Sequence, residues 1–343
     1  MSHDPTLKDI AGELDLSIST VARALADHPQ ISEQTKARVR LSASALGYVA
    51  HSAARSMRRG QSTLIGLIIP DVQNEFYGTL AKALAQSCDG AGYQLLLAIT
   101  EDDPSSEERQ IRALLEARVA GLIIVPSPRP TKGTLNLLKR RLWVQLIRQI
   151  NDGDGGPWFG IDEEAALQQA TSYLIGLGHR KIAYIGGTSD LSTGRGRLRG
   201  FERAFEAASL TIPRHLVQLG RPRMDFATQA FRTIWSSPDR PTAVVTGGSR
   251  LSAGVLESVG NLKLKMPDDI SVVGYGDAPS WYTGLSTIRL PAREIAMACG
   301  EYLLRRIREG ERDEKEQSAP PYQAVHASHF VAGGSTGSIA AAP

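Results

Sequence analysis

Residues 6–47, TLKDIAGELDLSISTVARALADHPQISEQTKARVRLSASALG, carry three helix start signals in quick succession. Thr6 precedes apolar residues at helical spacing, Leu7, Ile10, Ala11 and Leu14, with Asp9 where a capping box needs an acceptor. Asp15 follows, in a tight turn that calls for a residue tolerant of positive φ. Ser17 is a second cap, and Ile18 to Ala26 then read as a short helix with Val21, Ala24 and Leu25 turned inward. Ser32 opens a third helix through Thr35, Val39 and Leu46, ended by Gly47. Three short helices, the first two joined by a very short turn, make a helix-turn-helix. In that motif the second helix lies in the major groove, its N-terminal residues on the base edges. Ile18, Ser19 and Arg23 would reach the bases, and Ser17 and Thr20 would lie near phosphates. Arginine suits guanine because its fork matches two acceptors. On these residues alone, a plain three-helix bundle with incidental surface arginine is the competing reading.

The charge pattern around this stretch bears on the choice. The net charge of the chain is only +3, which says little about partners. From Gln34 to Pro70, however, there is no acidic residue, while Lys36, Arg38, Arg40, Arg55, Arg58 and Arg59 are basic. A one-sign stretch of this kind is either a phosphate-contacting surface or a solvated helix face.

The remaining chain has a different character. With 343 residues the chain suits a small domain plus a larger one, and 42% apolar residues support a packed core. After Gly60, short apolar runs alternate with helical stretches. Strands are expected at Leu64–Ile69, Gln94–Ile99, Gly121–Val125 and Trp143–Ile147, and a second set at Lys181–Gly186, Thr242–Thr246 and Ile270–Val273. Continuous apolar strands between helices indicate parallel sheets covered on both faces, and the two sets suggest two doubly wound lobes. Ligands of such sheets bind at the carboxyl ends of the strands.

The order K-D-I-A, L-S-x-S-T-V-A-R-x-L, I-S-E-Q-T-K-A-R-V, L-G-Y-V, A-x-S-M-R-R-G and I-G-L-I-I-P-D resembles the lactose/purine/galactose repressor family, over nearly the whole chain to about Phe330. The resemblance implies an all-α headpiece at 1–49, a hinge at 50–60 and a two-lobed, periplasmic-binding-protein-like α/β sensor domain at 61–330. Lobe one would take about 61–159 and 290–318, and lobe two about 160–289 and 319–330, with crossings near Trp158, Leu290 and Pro320. It further implies base contacts from Ile18, Ser19 and Arg23 and phosphate contacts near Thr6, Ser17, Thr20, Ser32 and Thr35. Met57 stands where a hinge residue wedges between base steps, a role its apolar, flexible side chain suits. Four departures stand out: Asp15 for the usual turn glycine, Ala22 for a serine, Ala50 for a proline and Met57 for a leucine.

The effector positions carry over in the same way. Phe76 stands at an aromatic that stacks on the effector, Arg197 at the effector-binding arginine, and Thr193 nearby. Arg148 replaces a pocket aspartate, and Gly276 replaces the first acid of a Tyr-Asp-Asp, leaving Asp277. Gly248-Ser249 replaces Asn-Asp and is followed by Arg250, while Arg221 and Arg223 precede a second-lobe helix. Trp281 would close over the ligand. Acids traded for arginines imply an anionic effector, such as a sugar acid, another small carboxylate or a phosphorylated sugar, because guanidinium groups match carboxylate and phosphate. The resemblance implies a homodimer on double-stranded operator DNA, with repression as the usual outcome. Without leucine heptads a higher coiled-coil assembly is not expected.

Other classes find less support. A periplasmic solute-binding protein shares the two-lobed fold but would need a signal peptide, and Met1 to Pro5 has no basic-then-apolar run. No apolar stretch approaches the roughly 20 residues of a membrane span, so a cytoplasmic, membrane-free protein is expected. Cys88 and Cys299 lack metal spacing and are expected to be buried and reduced. There is no phosphate-loop, dinucleotide or H-E-x-x-H motif, so no cofactor, metal or catalytic residue is assigned and the chain is not expected to be an enzyme. The one G-x-S-x-G, Gly333 to Gly337, lies in a Gly/Ala/Ser-rich tail, 331–343, that reads as disordered. His179 reads as structural.

Overall fold

The computed structural model describes residues 5–48, 62–150, 155–277, 283–310 and 322–339. These belong to two units, Met1–Ser62 and Thr63–Pro343. The expected hinge, including Met57, and the expected lid residue Trp281 fall outside the described residues.

In the first unit the caps set the helices. Helix α1 (Leu7–Leu14) starts at Thr6, whose backbone N–H donates to Asp9 Oδ2 at 2.7 Å. It stops at Asp15, which takes φ 53°, the left-handed turn expected there. Helix α2 (Ile18–Leu25) starts at Ser17, whose Oγ accepts from Thr20 N at 3.0 Å. Helix α3 (Glu33–Ala45) repeats the device with Ser32 Oγ and Thr35 N at 3.2 Å. Ile10, Ala11, Val21, Ala24, Val39 and Ala43 form the core between the three. Burying an aliphatic side chain of this size contributes roughly 1.5–3 kcal/mol, and no helix this short stands without such packing.

The second unit holds two six-stranded sheets. The first is ordered β11-β5-β4-β3-β1-β2. Its strands are β1 (Leu64–Ile69), β2 (Gln94–Ile99), β3 (Gly121–Ile124), β4 (Trp143–Leu146), β5 (Trp158–Ile161) and β11 (Gln323–His326). The second is ordered β12-β10-β9-β8-β6-β7. Its strands are β6 (Ile182–Gly187), β7 (Val217–Gly220), β8 (Ala243–Thr246), β9 (Ser271–Tyr275), β10 (Ser286–Arg289) and β12 (His329–Val331). All pairings are parallel except β10 with β12. Helices cover both faces of each sheet, so the central strands are buried throughout, as in Ile65, Leu67, Ile68 and Ile69 of β1.

In lobe one the helices are α4 (Glu75–Gly90), α5 (Pro104–Glu116) and α6 (Lys132–Leu138), with α11 (Ala292–Glu309) packed beside α4. Lobe two has α7 (Glu163–Gly176), α8 (Ser192–Ala207), α9 (Met224–Trp235) and α10 (Ser249–Asn261). Cys88 and Cys299 are both buried in the lobe-one core, where desolvation raises both thiols, that of Cys88 to about 11.

Two expected boundaries move. The chain leaves lobe one after Ile161 rather than near Trp158, because β5 completes the first sheet between β4 and β11. It crosses again at Leu290–Pro291, and for the last time between His326 and His329 rather than near Pro320, since β11 pairs in the first sheet and β12 in the second.

The tail expected to be disordered from 331 is instead packed on lobe two as far as residue 339. Ser335 is fully buried; its Oγ donates to Val272 O at 2.7 Å and accepts from Ser286 N at 2.8 Å. Gly337 N donates to Ser271 Oγ at 3.1 Å, and Ile339 N donates to Leu177 O at 3.0 Å. Small residues make this possible, because the backbone must lie flush against the strand ends to make those bonds. Ser335 therefore has a structural role, and its hydroxyl is unavailable as a nucleophile. His179 joins the same seam: its Nε2–H donates to Gly337 O at 3.1 Å, which leaves Nδ1 to accept from Thr242 Oγ1 at 2.8 Å.

Candidate functional site

The helix-turn-helix presents one polar face. Ser17, Ile18 and Ser19 lie exposed at the start of α2, and Arg23 is exposed one turn on. Ile18 keeps half its surface in water, an unfavourable placement for an isoleucine unless something covers it. Ser17 Oγ lies 2.8 Å from both Ser19 Oγ and Thr20 Oγ1, so three hydroxyls cluster at a helix N-terminus, where anions are favoured. Thr6, Ser32 and Thr35 stand at the starts of α1 and α3. The basic stretch is less free than its sequence suggests. Lys36 is buried against Glu33 at 2.7 Å and Asp27 at 3.1 Å, and Arg40 bonds Asp27 at 2.9 Å.

In the second unit, the carboxyl ends of both sheets face one cleft. Lobe one supplies Asp71 after β1, Asn74 and Phe76 at the start of α4, Asp102 after β2, and Ile147 and Arg148 after β4. Lobe two supplies Leu191, Thr193 and Arg197 on or beside α8, Gly247 to Arg250 after β8, and Tyr275 at the end of β9. The space enclosed at the centre is about 70 Å³, far below the roughly 300–1,000 Å³ of pockets that hold drug-sized ligands.

The lobes are clasped across this cleft. Ser249 Oγ donates to Asn74 Oδ1 at 3.0 Å, and Gln149 N donates to Ser192 Oγ at 2.9 Å. Looser ion pairs join Arg250 to Asp71 and Arg129 to Asp190, each at 3.8 Å.

Both central arginines are held by carboxylates from their own lobe. In lobe two, Arg197 gives Nε to Glu163 Oε2 at 2.8 Å and Nη2 to Glu163 Oε1 at 2.6 Å, while Nη1 reaches Gly247 O at 2.8 Å. Its guanidinium lies 4.0 Å over the Tyr275 ring, and the Tyr275 hydroxyl donates to Glu163. Burial pushes the Tyr275 phenol well above its usual value, so it stays protonated and able to donate.

Tyr184 lies beneath this group with its hydroxyl buried and without a hydrogen-bond partner. A side chain at Gly186 or Gly247 would run into that ring, at 2.3 and 2.5 Å. Gly276 takes φ +86°, and a Cβ there would sit 3.1 Å from that of Ser249. Glycine takes that φ without strain and leaves room for Ser249.

In lobe one, Arg148 is paired with Asp102 through both Nη atoms, and Nη1 also reaches Pro126 O at 3.3 Å. The arginine leaves β4 by a tight turn in which Arg148 N donates to Leu146 O at 2.7 Å and Ile147 takes φ 65°. A β-branched residue in that region is strained. It is held there by Trp158 Nε1, which donates to Ile147 O at 3.1 Å, and by Ile147 N, which donates to Phe159 O at 2.7 Å. Close by, Glu107 is fully buried; its Oε2 accepts from Ser127 N at 2.6 Å and its Oε1 has no partner. Burial raises its pKa, against the pull of the Ser127 N–H.

The structure thus brings together Phe76, Arg148, Thr193, Arg197 and Ser249. Arg221 lines a neighbouring recess with Arg223, Glu101 and Asp225, and Asp277 lines another with Gln73 and Met224. Asp102, Glu163, Asn74 and Tyr275 were not anticipated. Three arginines at the cleft, Arg148, Arg197 and Arg250, meet three carboxylates, Asp102, Glu163 and Asp71. Among the described residues, no group of three or more His, Cys, Asp or Glu could hold a metal ion, and no helix is long and apolar enough to cross a membrane.

Comparison with known proteins places both units. Residues 6–51 match "Bacterial regulatory proteins, lacI family", and residues 171–328 match "Periplasmic binding protein-like domain". The chain is 32% identical to the ribose operon repressor of Escherichia coli K12 over 309 residues, 88% of this chain and 93% of that protein. Its fold is similar to that of the lac repressor dimer bound to operator and the anti-inducer ONPF, with TM-score 0.81, 20% identity, and 98% and 100% of the two chains covered. It is also similar to the transcriptional regulator CelR in complex with cellobiose, with TM-score 0.69, 23% identity, and 96% and 99% covered.

Proposed function

The chain belongs to the lacI family of bacterial regulatory proteins, DNA-binding transcriptional repressors with an effector-binding domain, and from this we propose that it represses transcription under the control of a small, polar, net-neutral effector held between the lobes. It acts in the cytoplasm as a homodimer, on operator DNA whose two half-sites mirror the dimer. Ile18, Ser19 and Arg23 read base edges. Thr6, Ser17, Thr20, Ser32 and Thr35 contact phosphates, and Met57 wedges into the minor groove. The effector changes operator affinity only as far as it prefers one arrangement of the lobes over the other.

The observation that carries the effector reading is the matching of charge in the cleft. Arginine count alone points to a sugar acid or phosphorylated sugar, but Asp102 and Glu163 already hold Arg148 and Arg197. An anion would have to compete with those carboxylates. Hydroxyl groups, which donate and accept, can bond to paired charges without separating them. Phe76 offers an apolar ring face, and Asn74, Thr193 and Ser249 offer neutral polar groups. The ribose and cellobiose in the names of two similar proteins are neutral sugars, in keeping with this.

Calorimetric titration of the full-length protein with neutral sugars, sugar acids and phosphorylated sugars tests the reading. Saturable binding of a neutral sugar is expected, with altered retention of DNA from upstream of the gene in a mobility-shift assay. Binding confined to the anions would return the effector to the anionic class. Arg23→Ala is expected to weaken specific binding by about 1–3 kcal/mol and relax base preference, while a phosphate-contact variant such as Ser17→Ala weakens all sequences alike.

A further inference from the structure

We infer that Glu163 determines the charge of the effector this cleft accepts, by keeping Arg197 neutralised. The inference rests on the effector-cleft reading above and adds to it a residue that does not itself line the cleft.

Glu163 is the first residue of α7, directly after the chain has crossed from lobe one. Its carboxylate meets the guanidinium fork-to-fork, with bonds of 2.8 and 2.6 Å, the arrangement in which arginine binds a carboxylate most specifically. The pair is nearly closed to water, with side-chain exposures of 13% for Arg197 and 7% for Glu163. Tyr275 donates a further hydrogen bond to Glu163, and its ring covers the guanidinium. Gly247 O takes the opposite edge.

Of the five N–H groups of Arg197, three are therefore engaged, and the Nε–Nη2 edge is closed by a carboxylate that already balances the charge. An anion arriving from the cleft either displaces Glu163, leaving it buried without a counter-charge, or binds the remaining N–H groups as a second negative charge on one guanidinium. A hydroxyl needs only one of the remaining N–H groups. The two effector classes are thus separated by a residue behind the wall of the cleft, and removing its charge should reverse the preference.

The test uses full-length wild type, Glu163→Gln and the charge-compensated Glu163→Gln/Arg197→Gln, titrated with inorganic phosphate at constant ionic strength. Calorimetry and thermal shift give the readout. Glu163→Gln is expected to bind phosphate saturably, at least tenfold tighter than wild type, and the double variant to lose that gain. Equal phosphate affinity in wild type and Glu163→Gln overturns the inference, as does a gain that survives in the double variant. If Glu163→Gln does not fold, wild type and Arg197→Gln decide: saturable phosphate binding in wild type that is lost in Arg197→Gln overturns it, and its absence from wild type supports it. A phosphate gain that depends on Arg197 upholds the role of Glu163 even if no neutral sugar moves the protein on DNA, a result that would count against the effector reading alone.

Discussion

The two lobes bring an arginine to the same cleft by opposite means. In lobe two, Arg197 sits midway in the first turns of a regular helix, braced by Glu163, Gly247 O and the Tyr275 ring, over a floor shaped by Tyr184. In lobe one, Arg148 follows a residue forced into the left-handed region, and one carboxylate with 16% side-chain exposure holds it. One is a preformed wall, while the other depends on local strain, of order 1–3 kcal/mol, being held by β5. The difference teaches that lobe two is built to keep its geometry and lobe one to have it set by the strand next to the crossover.

The comparison can be broken most sharply by deleting each arginine. Arg197→Ala leaves Glu163 buried without its partner and should cost about 3–5 kcal/mol. Arg148→Ala leaves a partly hydrated Asp102 and should cost less, about 1–3 kcal/mol. Urea midpoints of the two variants measure this, and equal losses would remove the asymmetry.

A smaller effect belongs to the seam that closes lobe two. Ser335→Ala removes a donor and an acceptor bond from a fully buried site and should cost about 1–2 kcal/mol. Faster proteolysis within residues 332–339 would accompany it, and an unchanged melting temperature would mean that the seam contributes nothing.

The smallest effect is a difference of sign. Glu107, in lobe one, has its folded pKa raised by burial above the usual 4.5. Its contribution is complete below about that value and is lost as pH rises through the higher folded value. His179, in lobe two, has its folded pKa lowered by burial from 6.5. Its contribution is complete above 6.5 and is lost as pH falls through the lower folded value. Glu107→Gln should therefore remove a loss of stability that sets in as pH rises above about 4.5, and His179→Gln one that sets in as pH falls below 6.5. Melting temperatures across the pH range test both, and a change of slope of the same sign in the two variants would contradict the assignment.

Much of the fold was legible because burial on both faces writes strands as unbroken apolar runs. Leu64–Ile69 was bounded to the residue on that ground, and Gln94–Ile99 was too, although its apolar run lies on a largely exposed edge strand. The caps Thr6, Ser17 and Ser32 placed the starts of the three helices of the helix-turn-helix, and Asp15 took the positive φ its position called for. The strands that complete the sheets were not legible. Val325 of β11 is 58% exposed, and β12 spans only His329–Val331, so neither carries an apolar signature. Their places come from partners far away in sequence.

The cleft failed for a related reason. Arg148 and Arg197 could be read singly, but Asp102 lies 46 residues from one and Glu163 34 residues from the other. The acidic starts Glu101-Asp102-Asp103 and Asp162-Glu163-Glu164, each just after a strand, were the available signal.

The order in which the sheets are completed has a consequence for synthesis. β11 and β12 close the two sheets at residues 323–331, and residues 332–339 then fasten the second. Domains made early on the ribosome can begin to fold as they emerge, yet here neither lobe is a continuous piece of chain. Until the last strands arrive, β5 and β10 each keep an open edge with free peptide groups. A polypeptide halted before residue 323 would carry both open edges at once, the form most prone to pairing with its neighbours. Premature termination in this region should therefore yield aggregates rather than a shortened regulator.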